Sequence, residues 1–321
     1  MGMFDRVLIT GINGSGGSYL ADYIEGNHPN VQVYGFSRWR SKATRSDNLG
    51  SRIIYEVDLL DTTSIVRALM EIRPDAVFHL AAHANVGVSF KTPATVVDNN
   101  VRGTINLLEA IRLVQINPII QICSSSEVYG QVELHETPIS ENNPLRPASP
   151  YAVSKVAQDL LGDVYFRAYG MRIIRTRMFS YVNPRRDDLF ASSFAKQIVR
   201  IEKGLSNELR HGNLESVRTL LDVRDAVEAY WVAVRDCKIG EVYNIGGNRT
   251  ITVGDVLREL IIRSPIKDFR LVEDESLLRP KDVTLQIPNV NKFKQRTGWE
   301  PKYSFEESME FLLDYWRRKV N

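Results

Sequence analysis

The strongest constraint on the fold is the alternation of short apolar runs with helical stretches through the first half of the chain. Runs rich in Val, Ile or Phe fall at 6–10, 31–36, 52–57, 75–80, 118–123 and 171–178, and apolar spacing near 17–26, 62–72, 94–115 and 149–169 predicts helices. Parallel strands need crossovers of a dozen or more residues, so this rhythm predicts an α/β fold, a doubly wound parallel sheet with helices on both faces. Pro144, Pro147 and Pro150 punctuate the loop before the fourth helix, and Ser149-Pro150 suits a cap followed by a first-turn proline. From Asn183 the pattern becomes polar and irregular, with a helix near 190–203 and short segments at 207–218. Residues 1–182 are thus expected to bind a nucleotide, with 222–247 returning to the sheet through EVYNIGG. Residues 183–321 are expected to form a smaller C-terminal unit that mainly binds substrate.

Three local patterns carry chemistry. Val7-Leu8-Ile9 runs into Thr10-Gly11-Ile12-Asn13-Gly14-Ser15-Gly16-Gly17, and a helix follows. Strand, glycine-rich turn and helix N-terminus make a pyrophosphate site, because backbone N–H groups approach closely and the helix end is partly positive. The glycines at 11, 14 and 17 do not follow G-x-G-x-x-G, and a plain tight turn is the alternative; the position directly after a first strand favours the nucleotide. The second pattern, Ser124-Ser125-Ser126-Glu127-Val128-Tyr129-Gly130, follows the strand at 118–123, where ligands of open α/β sheets bind. It offers hydroxyls for a sugar alcohol and one carboxylate able to move a proton. The third is Tyr151 and Lys155 in SPYAVSK, at i and i+4 on one helix face. A free tyrosine has a pKa of about 10, and a neighbouring ammonium lowers it, which would let the phenol take a proton from an alcohol while a hydride leaves the same carbon.

Composition excludes several classes. A net charge of +2 gives no reason to invoke nucleic acid or a membrane surface. Cys123 and Cys237 have no metal-ligand spacing, the five histidines are scattered, and no apolar run reaches membrane-spanning length. The start MGMFDRV lacks a signal segment, so a cytoplasmic protein without metal is expected.

Together the motifs resemble those of the extended short-chain dehydrogenase/reductases, most closely the GDP-mannose 4,6-dehydratases. The resemblance rests on TGINGSGGSYL at 10–20, HLAAHANVGVSF at 79–90, SSSEVYG at 124–130 and SPYAVSK at 149–155. NPRR at 183–186, GNLESVR at 212–218, EVYNIGG at 241–247 and LRPKDV at 278–283 extend it over essentially the whole chain. It implies a Rossmann-like nucleotide domain and a redox-neutral elimination. Tyr151 would deprotonate the sugar C4 hydroxyl, Ser125 would hold the C4 oxygen, and Lys155 would also hold the nicotinamide ribose. Glu127 would remove the C5 proton and return it to the departing C6 hydroxyl.

The cofactor would lie on Gly11, Asn13, Gly14, Ser15, Gly16 and Gly17, with Asp58 and Leu59 near the adenine and Ala81 and Ala82 at the turn beneath it, together with Tyr151 and Lys155. An NAD site usually has an acidic residue after the second strand; Ser37, Arg38, Trp39 and Arg40 stand here instead and favour NADP. The substrate, a GDP-linked sugar, would meet Ser89, Ser180, Arg185, Lys196, Arg218, Arg279 and Asp282, and Arg186 shares the NPRR signature with Arg185. Phe179-Ser180-Tyr181 replaces the family's usual Phe-Asn-His, and Arg218-Thr219-Leu220 its Arg-Asp-aromatic. Both changes leave the sugar open.

A keto-sugar reductase or a C4 epimerase would use the same Tyr151 and Lys155, and a nonenzymatic NADP-binding regulator is the alternative of a different class. Relatives pair the Tyr151 helix and the helix at 101–115 with their copies across a two-fold axis. A homodimer is therefore expected, with Leu107, Leu108 and Ile111 as contact residues. A basic loop at 37–45 could extend the dimer to a homotetramer.

Overall fold

A computed structural model describes residues 3–38, 50–278 and 283–321. Its main sheet is built from β1 (Arg6–Thr10), β2 (Gln32–Ser37), β3 (Ile53–Glu56), β4 (Ala76–His79), β5 (Ile119–Ser125), β6 (Ile173–Met178) and the later strand Val242–Ile245. Their spatial order is Val242–Ile245, β6, β5, β4, β1, β2, β3, and every neighbouring pair is parallel. The chain leaves β1 toward β2 and β3 and returns to β4 on the other side. A crevice therefore opens at the carboxyl ends of β1 and β4, the usual ligand position in such sheets.

The strands are apolar on both faces because both faces are covered. Val7 and Ile9 join Leu20, Ile24, Phe78 and Trp231 in one core. Leu8, one residue out of phase, joins Ile65, Leu69, Ile120 and Ile122 in the other. Leu107, Leu108 and Ile111 belong to this second core and are at most 1% exposed, which corrects their expected role between subunits. The stretch expected as one helix at 94–115 is Pro93–Val97, a π turn over Asp98–Arg102, and Gly103–Leu113.

The Tyr151 helix spans Pro150–Tyr169. Ser149 Oγ accepts the Ala152 N–H at its start, Pro150 occupies the first turn, and Gly170 ends it at φ 66°. A third core joins the helices Phe190–Glu202, Val253–Arg263 and Phe305–Lys319. No helix among the described residues is long and apolar enough to cross a membrane.

Candidate active site

The glycine turn is dictated by sterics. Gly11 has φ 71°, and a Cβ there would stand 2.9 Å from Ala81 Cα. A Cβ on Gly17 would stand 2.3 Å from the Gly11 carbonyl oxygen. The helix Ser15–Asn27 begins at Gly14 with no side-chain cap, so its first amides are left for a ligand. Gly11, Gly14, Ser15, Gly16 and Gly17 line a cavity of about 770 Å³ that also holds Ser125, Glu127, Tyr151 and Lys155. The close-packed glycines and open amides fit a dinucleotide diphosphate. Asn13 instead turns to β2, its Nδ2 donating to Ser37 Oγ at 2.7 Å.

Beneath the turn lies a buried polar chain. Thr104 Oγ1 donates to the Asn100 carbonyl at 2.7 Å, so toward His79 Nε2 at 2.8 Å it must accept. His79 is therefore the Nε2–H tautomer, and its Nδ1 accepts from Thr10 Oγ1 at 2.9 Å. Thr10 Oγ1 in turn accepts the Ala81 N–H at 3.2 Å. Burial, then the Lys155 charge, pushes the imidazole down to about 3, so it is neutral. Asn100 Nδ2 donates to Ser154 Oγ at 2.9 Å, and Ser154 Oγ donates to the Tyr151 carbonyl at 2.7 Å, tying this layer to the helix that carries Tyr151.

At the carboxyl end of the sheet, Ser125 closes β5 and accepts the Glu127 N–H at 3.2 Å, and its hydroxyl lowers the pKa of the Tyr151 phenol. Glu127 sits in the 3₁₀ turn Ser126–Tyr129, facing the same cavity. Tyr151 is 8% and Lys155 3% exposed. Burial, with the Cys123 thiol, holds the phenol well above the usual tyrosine value, while Ser125 and the Arg186 guanidinium draw it back. The Lys155 ammonium, expected beside the phenol, donates to the Cys123 carbonyl at 2.8 Å and lies 5.9 Å from the Tyr151 ring centre. Burial pushes its pKa down.

Among the remaining cofactor positions, Ala82 lines the cavity and Ala81 abuts Gly11. Asp58 is exposed just past β3 and its carboxylate accepts the Leu60 N–H at 2.9 Å; Leu59 is buried. Arg38, exposed after β2, approaches His83, whose pKa is lowered first by burial and then by that charge. Trp39 and Arg40 lie outside the described residues, as do Arg279 and Asp282.

Of the expected substrate residues, Ser180 and Arg218 line the cavity, and Arg218 is anchored to the Val217 and Val283 carbonyls. Ser89 is buried, its hydroxyl donating to the Val86 carbonyl at 2.6 Å. Lys196 pairs with Asp187 at 2.7 Å, outside the cavity. Arg185 also points away, to Ser18 Oγ at 2.8 Å and Asp22 at 2.7 Å, across the Tyr19 ring. Its neighbour Arg186 enters instead, forked onto Asp188 at 2.9 and 2.8 Å and donating to the Ala84 carbonyl at 3.0 Å. Asp188 also accepts from Asn85 Nδ2 at 2.8 Å. Asn85, Asp188, Tyr181 and Tyr230 also line the cavity and were not singled out as site residues from the sequence. The substitution at Tyr181 and the acidic pair after NPRR were the available signals.

This sheet with a Tyr-x-x-x-Lys pair, a serine and a glycine turn in one cavity defines an extended short-chain dehydrogenase/reductase. The chain belongs to the GDP-mannose 4,6 dehydratase family, whose model matches residues 8–311. It is 29% identical over 320 residues to GDP-6-deoxy-D-mannose reductase of Pseudomonas aeruginosa, covering 99% of both chains. It is equally 29% identical to GDP-mannose 4,6-dehydratase of Yersinia enterocolitica, covering 94% of this chain and 91% of that one. The structure of RMD from Pseudomonas aeruginosa complexed with NADPH superposes with a TM-score of 0.85 at 28% identity, covering 98% of this chain and 100% of the other.

Proposed function

We propose that this protein is an NADP-dependent nucleotide-sugar 4,6-dehydratase acting on GDP-mannose or a closely related GDP-sugar. The observation that carries it is the carboxylate of Glu127 in the same cavity as Ser125, Tyr151 and Lys155. The glycine turn, Ala82, Tyr151 and Lys155 would hold the cofactor, and the chain's similarity to a protein solved with NADPH supports a nicotinamide dinucleotide. Arg38 favours the 2′-phosphate form. Bound there, the dinucleotide would accept a hydride from the sugar C4 and give it back at C6.

The chain's own residues do the rest. Tyr151, as phenolate, takes the C4 hydroxyl proton while Ser125 holds the C4 oxygen. The resulting 4-ketone acidifies the C5 hydrogen, and Glu127 removes it. Protonated Glu127 then delivers that proton to the C6 hydroxyl, which leaves as water; once C6 is reduced, C5 takes up one proton, balancing the one that Tyr151 removed from the C4 hydroxyl and must release to regain its phenolate. Ser180, Arg186 and Arg218 face the volume left for the nucleotide sugar. Arginine suits a diphosphate because its planar fork donates two parallel bonds.

A second reading, reduction of a GDP-4-keto-6-deoxy sugar, is favoured by the match to the reductase over 99% of both chains. Incubating the purified protein with a panel of nucleotide sugars, without added reductant, separates them. A dehydratase converts one of them to a product lighter by one water, whereas a reductase leaves the whole panel unchanged and consumes NADPH only with a 4-keto sugar.

A further inference from the structure

The glycine at position 16 is set by a neighbour and not by its own backbone. Gly11 needs its positive φ, but Gly16 has none, and glycine is a poor residue for the helix Ser15–Asn27, in which it stands second. What glycine leaves there is room. A Cβ at position 16 would lie 3.3 Å from the Tyr181 hydroxyl and 3.5 Å from Leu80 Cδ2, so a methyl would press on the phenol. The Tyr181 side chain comes from a separate element, the short strand Tyr181–Val182. That strand runs parallel to Leu221–Asp222 with Tyr181 opposite Leu221, and the Ser180 carbonyl accepts the Leu221 N–H at 3.1 Å. The base of the side chain is thus fixed, and its hydroxyl is set against the start of the helix Ser15–Asn27. Tyr181 and Gly16 both line the cavity that holds Tyr151.

We infer that Tyr181 is a cofactor-binding residue whose hydroxyl donates to the diphosphate of a nicotinamide dinucleotide seated on the glycine turn. The first amides of an uncapped helix have no partner within the helix and take an anion's oxygens at about 2.9 Å. A hydroxyl set against residue 16 stands beside those amides. Burial, then the Cys123 thiol, raises the Tyr181 pKa, so the phenol keeps its proton near neutrality and has it to give. A hydroxyl bond to a charged oxygen is among the stronger kinds. Within the turn, Asn13 is directed to Ser37 Oγ, so Tyr181 supplies from outside the turn the side-chain donor that Asn13 does not. Gly16 and Tyr181 are thus a matched pair, which accounts for a tyrosine at 181 where the family's usual residue is histidine. The inference rests on the cavity holding such a dinucleotide and not on which reaction follows.

The test is equilibrium titration of the full chain with NADP and, in parallel, NAD, and it needs no sugar substrate. Adenosine 2′-monophosphate serves as the control probe, since it carries the adenosine end and no diphosphate. Tyr181→Phe keeps the ring and removes only the hydroxyl. The dinucleotide Kd should then rise about 10-fold or more, the worth of one hydrogen bond to a charged group, while the control probe keeps its Kd within about twofold. Gly16→Ala tests the pair from the other side. Its methyl presses on the hydroxyl in the wild type and is relieved of it in Tyr181→Phe, so the two losses of affinity should sum to more than the double variant shows. This second arm keeps the test decisive if one single variant folds poorly. Dinucleotide binding that Tyr181→Phe leaves within about twofold of wild type would overturn the inference alone. An equal loss for both probes would overturn it as well, since it marks a disturbed fold and not a lost contact. A wild type that binds neither dinucleotide would overturn it together with the cofactor reading.

Discussion

At the scale of single residues, the proposed reaction makes Glu127 the group that separates elimination from simple oxidation. Glutamine at 127 keeps the shape and a hydrogen-bonding amide but cannot take the C5 proton. Glu127→Gln should lose about 10²–10⁴-fold in dehydration while still oxidising C4, seen as a transient rise in reduced nicotinamide. Dehydration close to wild type would give the C5 proton to another residue. Arg38→Asp should move cofactor preference from NADP toward NAD, read from the ratio of the two dissociation constants. A wild-type protein that binds NAD more tightly would refute the assignment of Arg38. Residue identity was legible where chemistry or sterics demands one side chain: Gly11 against Ala81, Tyr151 beside Ser125, Lys155 one helical turn on. It was illegible where two like residues sit side by side in a turn. Arg185 and Arg186 differ only in their partners, Asp22 on the first helix and Asp188 at the cavity, and both partners are set by tertiary structure.

At the scale of elements, the catalytic helix is held to the sheet by ions. Asp159, fully buried, accepts from Arg177 Nε at 2.9 Å, and Arg175 stands 3.5 Å from the same carboxylate. Arg177 continues to the Tyr129 hydroxyl at 2.9 Å, which donates to Asn244 Oδ1 at 2.7 Å, so β6, the strand Val242–Ile245 and the Glu127 turn share one network. Removing one partner of a buried pair leaves a charge without compensation. Asp159→Ala should cost about 3–5 kcal/mol, measured by denaturant unfolding. A loss below about 1 kcal/mol would mean that water relieves Arg177. Elements were the most legible level, since a period of two or of 3.6 survives in the sequence whatever packs against it. The pieces at 93–113 were misread because a π turn hardly disturbs the apolar spacing. Leu107, Leu108 and Ile111 were assigned to an interface because an apolar stripe does not say which neighbour covers it.

At the scale of the whole molecule, one stripe of the Tyr151 helix has no cover among the described residues. Val153, Leu160 and Val164 are 48%, 49% and 53% exposed, and partly buried Ala157 completes the 4-3-4 spacing of a helix–helix seam. We propose that a second copy of this chain covers it in an isologous contact. Light scattering at micromolar concentration should give at least twice the mass of one chain, and the variant Leu160→Asp, which puts a charge in the seam, should give the mass of one. A monomer in the wild type would contradict the proposal.

In the proposed reaction, one active site oxidises C4, expels water and returns the same hydride to C6. GDP-mannose carrying deuterium at C4 tests it most directly. The dehydratase predicts a product lighter than the labelled substrate by one ordinary water, with the deuterium now on C6 and no NADPH consumed. An unchanged GDP-mannose, together with stoichiometric NADPH oxidation when a 4-keto-6-deoxy sugar nucleotide is supplied, would contradict it.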